Sequence, residues 1–483
     1  MKNLAKYTKL TPQDRINKTN EILQLLVETE RKKEEDDEEK PNSKDTKRAK
    51  IKICEDDKFS SKEKSDLYGI EVKALDQAHK AYYMKETILI GAENKPVKVN
   101  KPFKLLSIKD MTNWLCLYRE SNYNDADYLY KSLNKASREY GLDISEPEWV
   151  EIGDRAQAHN WIKKVEEYFG EKEKKGEEKY KFVVFLLDRN DYIYKNLKVH
   201  SLCNNGYVSQ VIKVYSLKKN ALSVCSKILL QINSKLSGIS YIPRFDDDVI
   251  KRKLMIIGVD SSHIKGKRTG VAMVATINTS FTNFYNKETI IEEETKEQLQ
   301  FCISGFIKDA ISKYKEKNSS LPSGIIIYRQ GVSFHQKEFL KNEVNSIKDT
   351  CSKNKILFYY ILVNTKTIYK FFENNDNNYS NPVEGLLVLD GVTNRNFFEF
   401  YIQPQFVSGG SATPSCYHVA YGDLNFPEMM PKLTFDLCHF YSNWQGHVRV
   451  PHVLKSAEKL SKMTAKYTLK ELHQNLEEGQ AYL

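Results

Sequence analysis

The stretch Lys253-Leu-Met-Ile-Ile-Gly-Val-Asp-Ser-Ser-His263 constrains the fold more than any other part of the chain. It leads through the basic run Ile264-Lys-Gly-Lys-Arg-Thr269 into Gly270-Val-Ala-Met-Val-Ala-Thr-Ile277. An apolar run, an acid, a polar turn and a second β-branched run predict two neighbouring buried strands with the Asp260 carboxylate at the tip of the first. Such an acid either caps the turn or serves as a metal ligand. The remainder of the chain decides which.

At 483 residues the chain has room for two or three domains. A formal charge of +10 together with 29 Tyr and 22 Phe describes either a well-solvated surface or a basic one with aromatic platforms. The second suits polyanions, nucleic acid first. Eight scattered cysteines without a Cys-x-x-Cys pair argue against a zinc site and a disulfide framework, and so for a reducing compartment. No apolar run approaches the roughly 18 residues of a membrane span, and the N-terminus lacks the apolar core of a signal peptide. The expected location is the nucleus, with the cytoplasm as alternative.

Thr11-Pro-Gln-Asp14 predicts a helix start within a linker helix over residues 1–28. Residues 29–65 are charge-rich with little to bury, and predict a disordered insertion. Its basic half, Lys44 to Lys52, is either a nuclear localisation signal or simply solvated. Residues 66–110 read as an extended linker, with strands at Ile70-Glu-Val72 and Thr87-Ile-Leu-Ile90. Over 111–245, strands and helices alternate with Gly141 and Gly170 at helix ends, predicting a small Rossmann-like α/β domain in which 171–180 form an exposed loop. Over 246–483 the order is three strands, helix, strand, helix, strand, that of a ribonuclease-H-like fold.

Asn443-Trp-Gln-Gly-His-Val-Arg-Val-Pro451, Tyr328-Arg-Gln-Gly-Val-Ser333, Ser415-Cys-Tyr-His-Val419, Asn381-Pro-x-x-Gly385 and Gly258-Val-Asp-Ser-Ser-His263 together resemble the PIWI domain of Argonaute proteins. Asn-Trp-x-Gly and the terminal Tyr-Leu point to the Piwi branch. Residues 111–245 resemble the MID domain, and Leu10-Thr-Pro-Gln-Asp-Arg15 the linker after PAZ, so the chain resembles a Piwi protein that begins after PAZ. The Lys- and Asn-rich composition suggests a protist source such as a ciliate.

Tyr194-x-x-x-Lys198 and Gln231-x-x-x-Lys235 are i, i+4 pairs, each on one helix face. Such pairs are common on solvated helices. With Gln210 between them, they match the pattern by which MID domains hold the 5′ phosphate of a guide RNA. The resemblance implies charge from Lys198 and Lys235, a neutral donor from Gln210, and a face on Tyr194 for the first base, worth about 1–3 kcal/mol. It also implies a Mg²⁺ between Gln231 and the terminal carboxylate of Leu483, hard oxygens suited to that ion. The plain alternative for Gln231 is a solvent-facing helix residue.

Active family members cut a target RNA with two Mg²⁺ ions held by Asp, Glu, Asp and His or Asp. Asp260 matches the first position and His418 the fourth, but Gln330 stands at the third without charge. At the second, an ungapped count gives Gln298, with Glu297 about 100° away around the helix. No catalytic metal pair is expected. The implied function is a small-RNA-binding, slicer-deficient scaffold or adaptor. Its expected partners are a guide RNA, a complementary RNA and a nuclease acting in trans, with no membrane or DNA contact. The alternatives are an endonuclease using Asp260, Glu297 and His418 in altered geometry, and a protein-interaction module with a vestigial RNA pocket.

Overall fold

A computed structural model describes residues 11–17, 81–99, 101–188, 190–264, 268–292, 296–332, 336–375, 378–394, 397–444 and 446–483. The insertion expected over 29–65, the basic run Lys44 to Lys52 and the strand at 70–72 lie outside them. The described residues divide into two compact units, one drawn from Met1–Lys85 and Thr365–Tyr417, the other from Glu86–Asn364 and His418–Leu483.

In the larger unit the first layered domain alternates strictly. The strands are Trp114–Arg119 (β1), Glu148–Ile152 (β2), Phe182–Leu187 (β3) and Ser209–Lys213 (β4); the helices that follow each are Tyr123–Tyr140 (α1), Ala158–Lys175 (α2), Asp191–Val199 (α3) and Val214–Lys235 (α4). The strands lie in the order β2-β1-β3-β4, all parallel. The sequence of β3 explains this. Phe182, Val184 and Leu186 join Trp114 and Leu229 in one core, while Val183, Phe185 and Leu187 join Trp161 in another. A strand apolar on both faces belongs in a parallel sheet covered on both sides. Two details differ from expectation. β2 alternates charged and apolar residues at a sheet edge and was not among the expected strands. Residues 171–175 continue α2, which passes through Gly170 and ends at Gly176 with φ 67°. Glu and Lys are good helix formers, and one internal glycine costs only about 1 kcal/mol.

The second domain has the ribonuclease-H-like layout. The strands Leu254–Ile264 (β5), Arg268–Thr276 (β6) and Phe284–Ile291 (β7) precede the helix Lys296–Asn318 (α5). The strand Gly324–Arg329 (β8), the helix Lys337–Ser352 (α6) and the strand Leu357–Asn364 (β9) follow. The order is β7-β6-β5-β8-β9, with β6 antiparallel to β5 and β7, and β8 parallel to β5 and β9. The strand Ser415–Gly422 (β10), which enters this unit at His418, borders β9, and the helices Met430–Leu437 (α7) and His452–Met463 (α8) complete the domain.

The two faces of β5 divide by residue parity. Met255, Ile257 and Val259 enter the core with Ile303 of α5 and Ile347 of α6. Gly258 and Asp260 turn to the other face, under α8. There a Cβ on Gly258 would lie 2.3 Å from the backbone nitrogen of Leu454, and one on Gly270 would lie 2.4 Å from the carbonyl oxygen of Ser461. The helix thus rests backbone to backbone on the sheet.

In the smaller unit, residues 12–17 are helical. The expected cap is present: Asp14 N–H donates to Thr11 Oγ1 at 3.1 Å, and Thr11 Oγ1 donates to the Asp14 carboxylate at 2.7 Å. The Asn-Pro-x-x-Gly element has an architectural role. Asn381 donates to the carbonyls of Val407 and Gly410 and accepts from Ala412 N–H, at 2.7–2.8 Å, pinning that loop. Among the described residues no helix is long and apolar enough to cross a membrane, and the described cysteines are free thiols.

Replacing Gly258 by Ala pushes a methyl group into the backbone of α8. Overpacking of this kind costs about 1–3 kcal/mol. Gly258→Ala therefore lowers the denaturant midpoint, whereas Gly170→Ala, with open space around it, leaves it unchanged or raises it.

Candidate functional site

The buried cations gather at the start of β4. Lys198 on α3 donates to Ser209 Oγ at 3.2 Å and reaches the Ser209 carbonyl at 3.4 Å. Lys235, at the end of α4, donates to the same carbonyl and to Gln210 Oε1, both at 2.8 Å. Gln210 in turn directs its amide nitrogen to Gln231 Oε1 at 3.4 Å. Four residues expected at one site are therefore joined in a chain of contacts.

A fifth member comes from α8. Lys459 is half-buried, and its charge acts on both Lys198 and Lys235. Burial, and then Lys459, push the Lys198 ammonium from 10.5 down to about 7. Burial, then Lys198 and Lys459, hold Lys235 well below the usual lysine range. No carboxylate appears among the charges that shift these three amines. Removing an ammonium from water without a counter-charge costs about several kcal/mol. Three together form a pocket suited to a compact polyanion.

Tyr194, four residues before Lys198, meets Tyr467 edge to face, with ring centroids 5.4 Å apart. Lys466 lies over the outer ring at 4.8 Å. A groove of about 560 Å³ runs from these tyrosines past Lys459 and Lys462 to Ser262, two residues beyond Asp260. Amines and stacking faces along one groove are the ingredients of single-strand binding.

Asp260 is buried, 4% exposed. It accepts from Ser461 Oγ of α8 at 2.5 Å and from Ser262 Oγ at 3.3 Å. Burial pushes its carboxyl upward, against the lowering effects of Ser461 and Arg329, and Glu458 adds to the rise. Gln330 is adjacent, its N–H donating to the Val259 carbonyl at 3.0 Å, and its buried amide oxygen finds no hydrogen-bond partner among the described residues. Glu297, in the first turn of α5, is exposed.

The strand order separates His418 from Asp260. β10 is three strand positions from β5, roughly 14 Å at sheet spacing. The fold thus does not set His418 beside Asp260 as a fourth ligand; the acid within range of Asp260 is Glu458, and it is already engaged. Burial raises the Glu458 carboxyl, but ion pairs with Lys455, at 2.8 Å, and Lys462 outweigh this and lower it. Among the described residues no cluster of three or more His, Cys, Asp or Glu could hold a metal ion.

The chain's last residues also reach α8. Asn286 donates to the carbonyls of Glu477 and Gly479 and accepts from Tyr482 Oη at 3.0 Å. Gln480 donates to Ser456 Oγ of α8 at 3.2 Å, and Leu483 is buried.

Lys459, Glu458, Ser461 and Tyr467 were not legible as site residues. Lys455, Glu458, Lys459 and Lys462 read as the charged face of an ordinary amphipathic helix. The apolar residues beside them, Leu454, Ala457 and Leu460, are all buried, but that alternation is what any amphipathic helix shows.

A parallel MID-type sheet leading into a ribonuclease-H-like sheet, with one helix reaching a buried site in each, is the lobe architecture of Argonaute proteins. The Piwi domain matches residues 181–468, and the chain belongs to the Argonaute/Piwi family. It is similar to Piwi-like protein 1 of Danio rerio, 29% identical over 392 residues, covering 78% of this chain and 44% of that protein. The chain thus spans less than half the length of this relative. Among solved structures, Drosophila Piwi superposes with a TM-score of 0.75 at 23% identity, over 83% of this chain and 56% of that one. Kluyveromyces polysporus Argonaute with a guide RNA gives 0.68 at 16%, over 87% and 56%. At these identities the structural likeness speaks to fold.

The lysine pocket sets a stability signature. A folded-state pKa of about 7 for Lys198, against 10.5 ordinarily, means that the unfolded chain binds more protons between these values. Stability from this group therefore rises with pH across about 7 to 10.5. Lys198→Met is expected to be more stable than the parent at pH 7, with the difference shrinking toward pH 10.5 in denaturant titrations.

Proposed function

We propose that the chain holds a small RNA by its 5′ phosphate in the Lys198, Lys235 and Lys459 pocket and serves as a scaffold or adaptor that does not cut. The observation that carries this reading is the convergence of the Lys198 and Lys235 amines on the Ser209 carbonyl, beside the Gln210 and Gln231 amides and with no carboxylate among their hydrogen-bond partners in the described residues. A terminal phosphate supplies the missing negative charge, restoring the amines toward their protonated forms. The Gln210 amide donates to a phosphate oxygen, and the Tyr194 face, braced by the edge of Tyr467, stacks the first base. The rest of the strand follows the groove past Lys459 and Lys462. A solved relative in this fold carries a guide RNA.

Gln231 offers an amide oxygen beside the pocket. The family resemblance would pair it with the Leu483 carboxylate, and hard oxygens of these kinds, with those of a phosphate, suit a Mg²⁺. Such an ion would supply further charge to the phosphate. The absence of cutting rests on Gln330 and on Glu458, whose carboxylate is committed to two lysines. Any processing of the bound RNA then falls to a partner nuclease.

Filter binding with short RNAs tests the pocket. A 5′-phosphorylated strand is expected to bind at least about tenfold tighter than its 5′-hydroxyl counterpart, about 1.4 kcal/mol. Lys198→Ala with Lys235→Ala removes the difference while leaving salt-dependent backbone binding. Chelating Mg²⁺ or adding residues after Leu483 weakens only the phosphorylated strand. Equal affinity for both RNAs would sink the proposal.

The non-cutting part has its own test, a single-turnover assay with Mg²⁺, a guide and a fully paired target. The expected result is no product. Cleavage opposite guide nucleotides ten and eleven that disappears in Asp260→Ala would overturn it.

A further inference from the structure

A second cavity, of about 220 Å³, lies between α4, the start of β7 and the segment that follows α7. By this measure one water needs only about 10–15 Å³, so the space is that of a ring system rather than of an ordered solvent molecule. It is distinct from the lysine pocket: Ser234, which lines it, is turned about 100° around α4 from Lys235.

The walls are of two kinds. Phe284 and Phe440 are buried, with ring centroids 6.4 Å apart and planes inclined by 34°. Trp444 is 52% exposed, its indole held beneath the Lys227 amine at 5.3 Å. Hydroxyls line the cavity as well, from Ser234, Ser240 and Thr282. Ser234 is 4% exposed, and its Oγ has no hydrogen-bond partner among the described residues. A buried hydroxyl left unsatisfied costs about as much as a hydrogen bond contributes, and a ligand that supplies a partner recovers that cost.

We infer that this cavity binds a nucleobase, a planar ring flanked by the aromatic walls with its polar edge toward the Ser234 hydroxyl. Aromatic walls with a few convergent polar groups are the usual make-up of a small-ligand site. A phenyl ring would fill the space but leave Ser234 unsatisfied, whereas a base presents donors and acceptors along its edge. Lys109 and Lys317 also line the cavity, Lys317 paired with Glu478 at 2.8 Å, and they suit the sugar-phosphate side of the same ligand. The base can arrive as a free nucleoside or as an unstacked base of a bound strand.

Calorimetric titration of the full chain with adenosine and with uridine tests this, since neither carries the phosphate that the lysine pocket would need. Saturable binding of at least one is expected, weakened about three- to tenfold in Ser234→Ala and more in Trp444→Ala, and unchanged in Lys198→Ala with Lys235→Ala. Insensitivity to that last pair separates this cavity from the 5′-phosphate reading, so each can fail alone. Repeating the titration on protein loaded with 5′-phosphorylated RNA identifies the source: retained binding means a free nucleoside, lost binding a base of the strand. Saturation by N-acetyltryptophanamide but by neither nucleoside, or no saturable binding at all, would overturn the inference.

Discussion

The backbone contact between α8 and the strand pair β5–β6 is the constraint on which the rest of this molecule depends. Only glycine at 258 and 270 allows it. With α8 held that close, Ser461 bonds directly to Asp260, and the previous turn carries Lys459 to the amines of the neighbouring domain. A helix standing a side chain's width farther out would break both connections. Packing in the second domain therefore sets the electrostatics of a pocket whose other members belong to the first.

The same helix treats its two ends of the groove in opposite ways. Toward the MID-type sheet it adds a positive charge to two that already repel it. Toward Asp260 it brings a carboxylate, then neutralises that carboxylate with Lys455 and Lys462. A two-metal centre needs several anionic oxygens converging on a small space. Here the nearby positions carry an amide at 330, an acid engaged by two amines at 458, and the guanidinium of Arg329. That guanidinium, fully buried and ion-paired with Glu343 at 3.2 Å, also reaches Ser261 at 3.4 Å. The cations around Asp260 are thus already engaged by other carboxylates, Arg329 by Glu343 and Lys455 and Lys462 by Glu458.

Much of this was legible in the sequence because it rests on local rules. Apolar runs such as Phe182–Leu187 and Leu254–Val259 announce strands, and the i, i+4 spacing of Tyr194 with Lys198 and of Gln231 with Lys235 places side chains on one helix face. Proximity between distant elements was not legible. Lys459 and Glu458 sit in a run of alternating charges that reads as solvated surface, and only the tertiary approach of α8 turns them inward. His418 shows the converse: it occupies a motif at a strand, but strand order rather than motif order determines what a strand residue can touch. The charged segment after Gly170 failed for a simpler reason, since a glycine read as a terminator was outvoted by the helix formers around it.

The shared carbonyl of Ser209, approached by two amines at once, has a consequence for the life of the protein. An empty pocket is a store of unfavourable energy, so a bound polyanion contributes to folding free energy as directly as a core side chain does. A pocket built from mutual repulsion ties the stability of the fold to whatever anion occupies it.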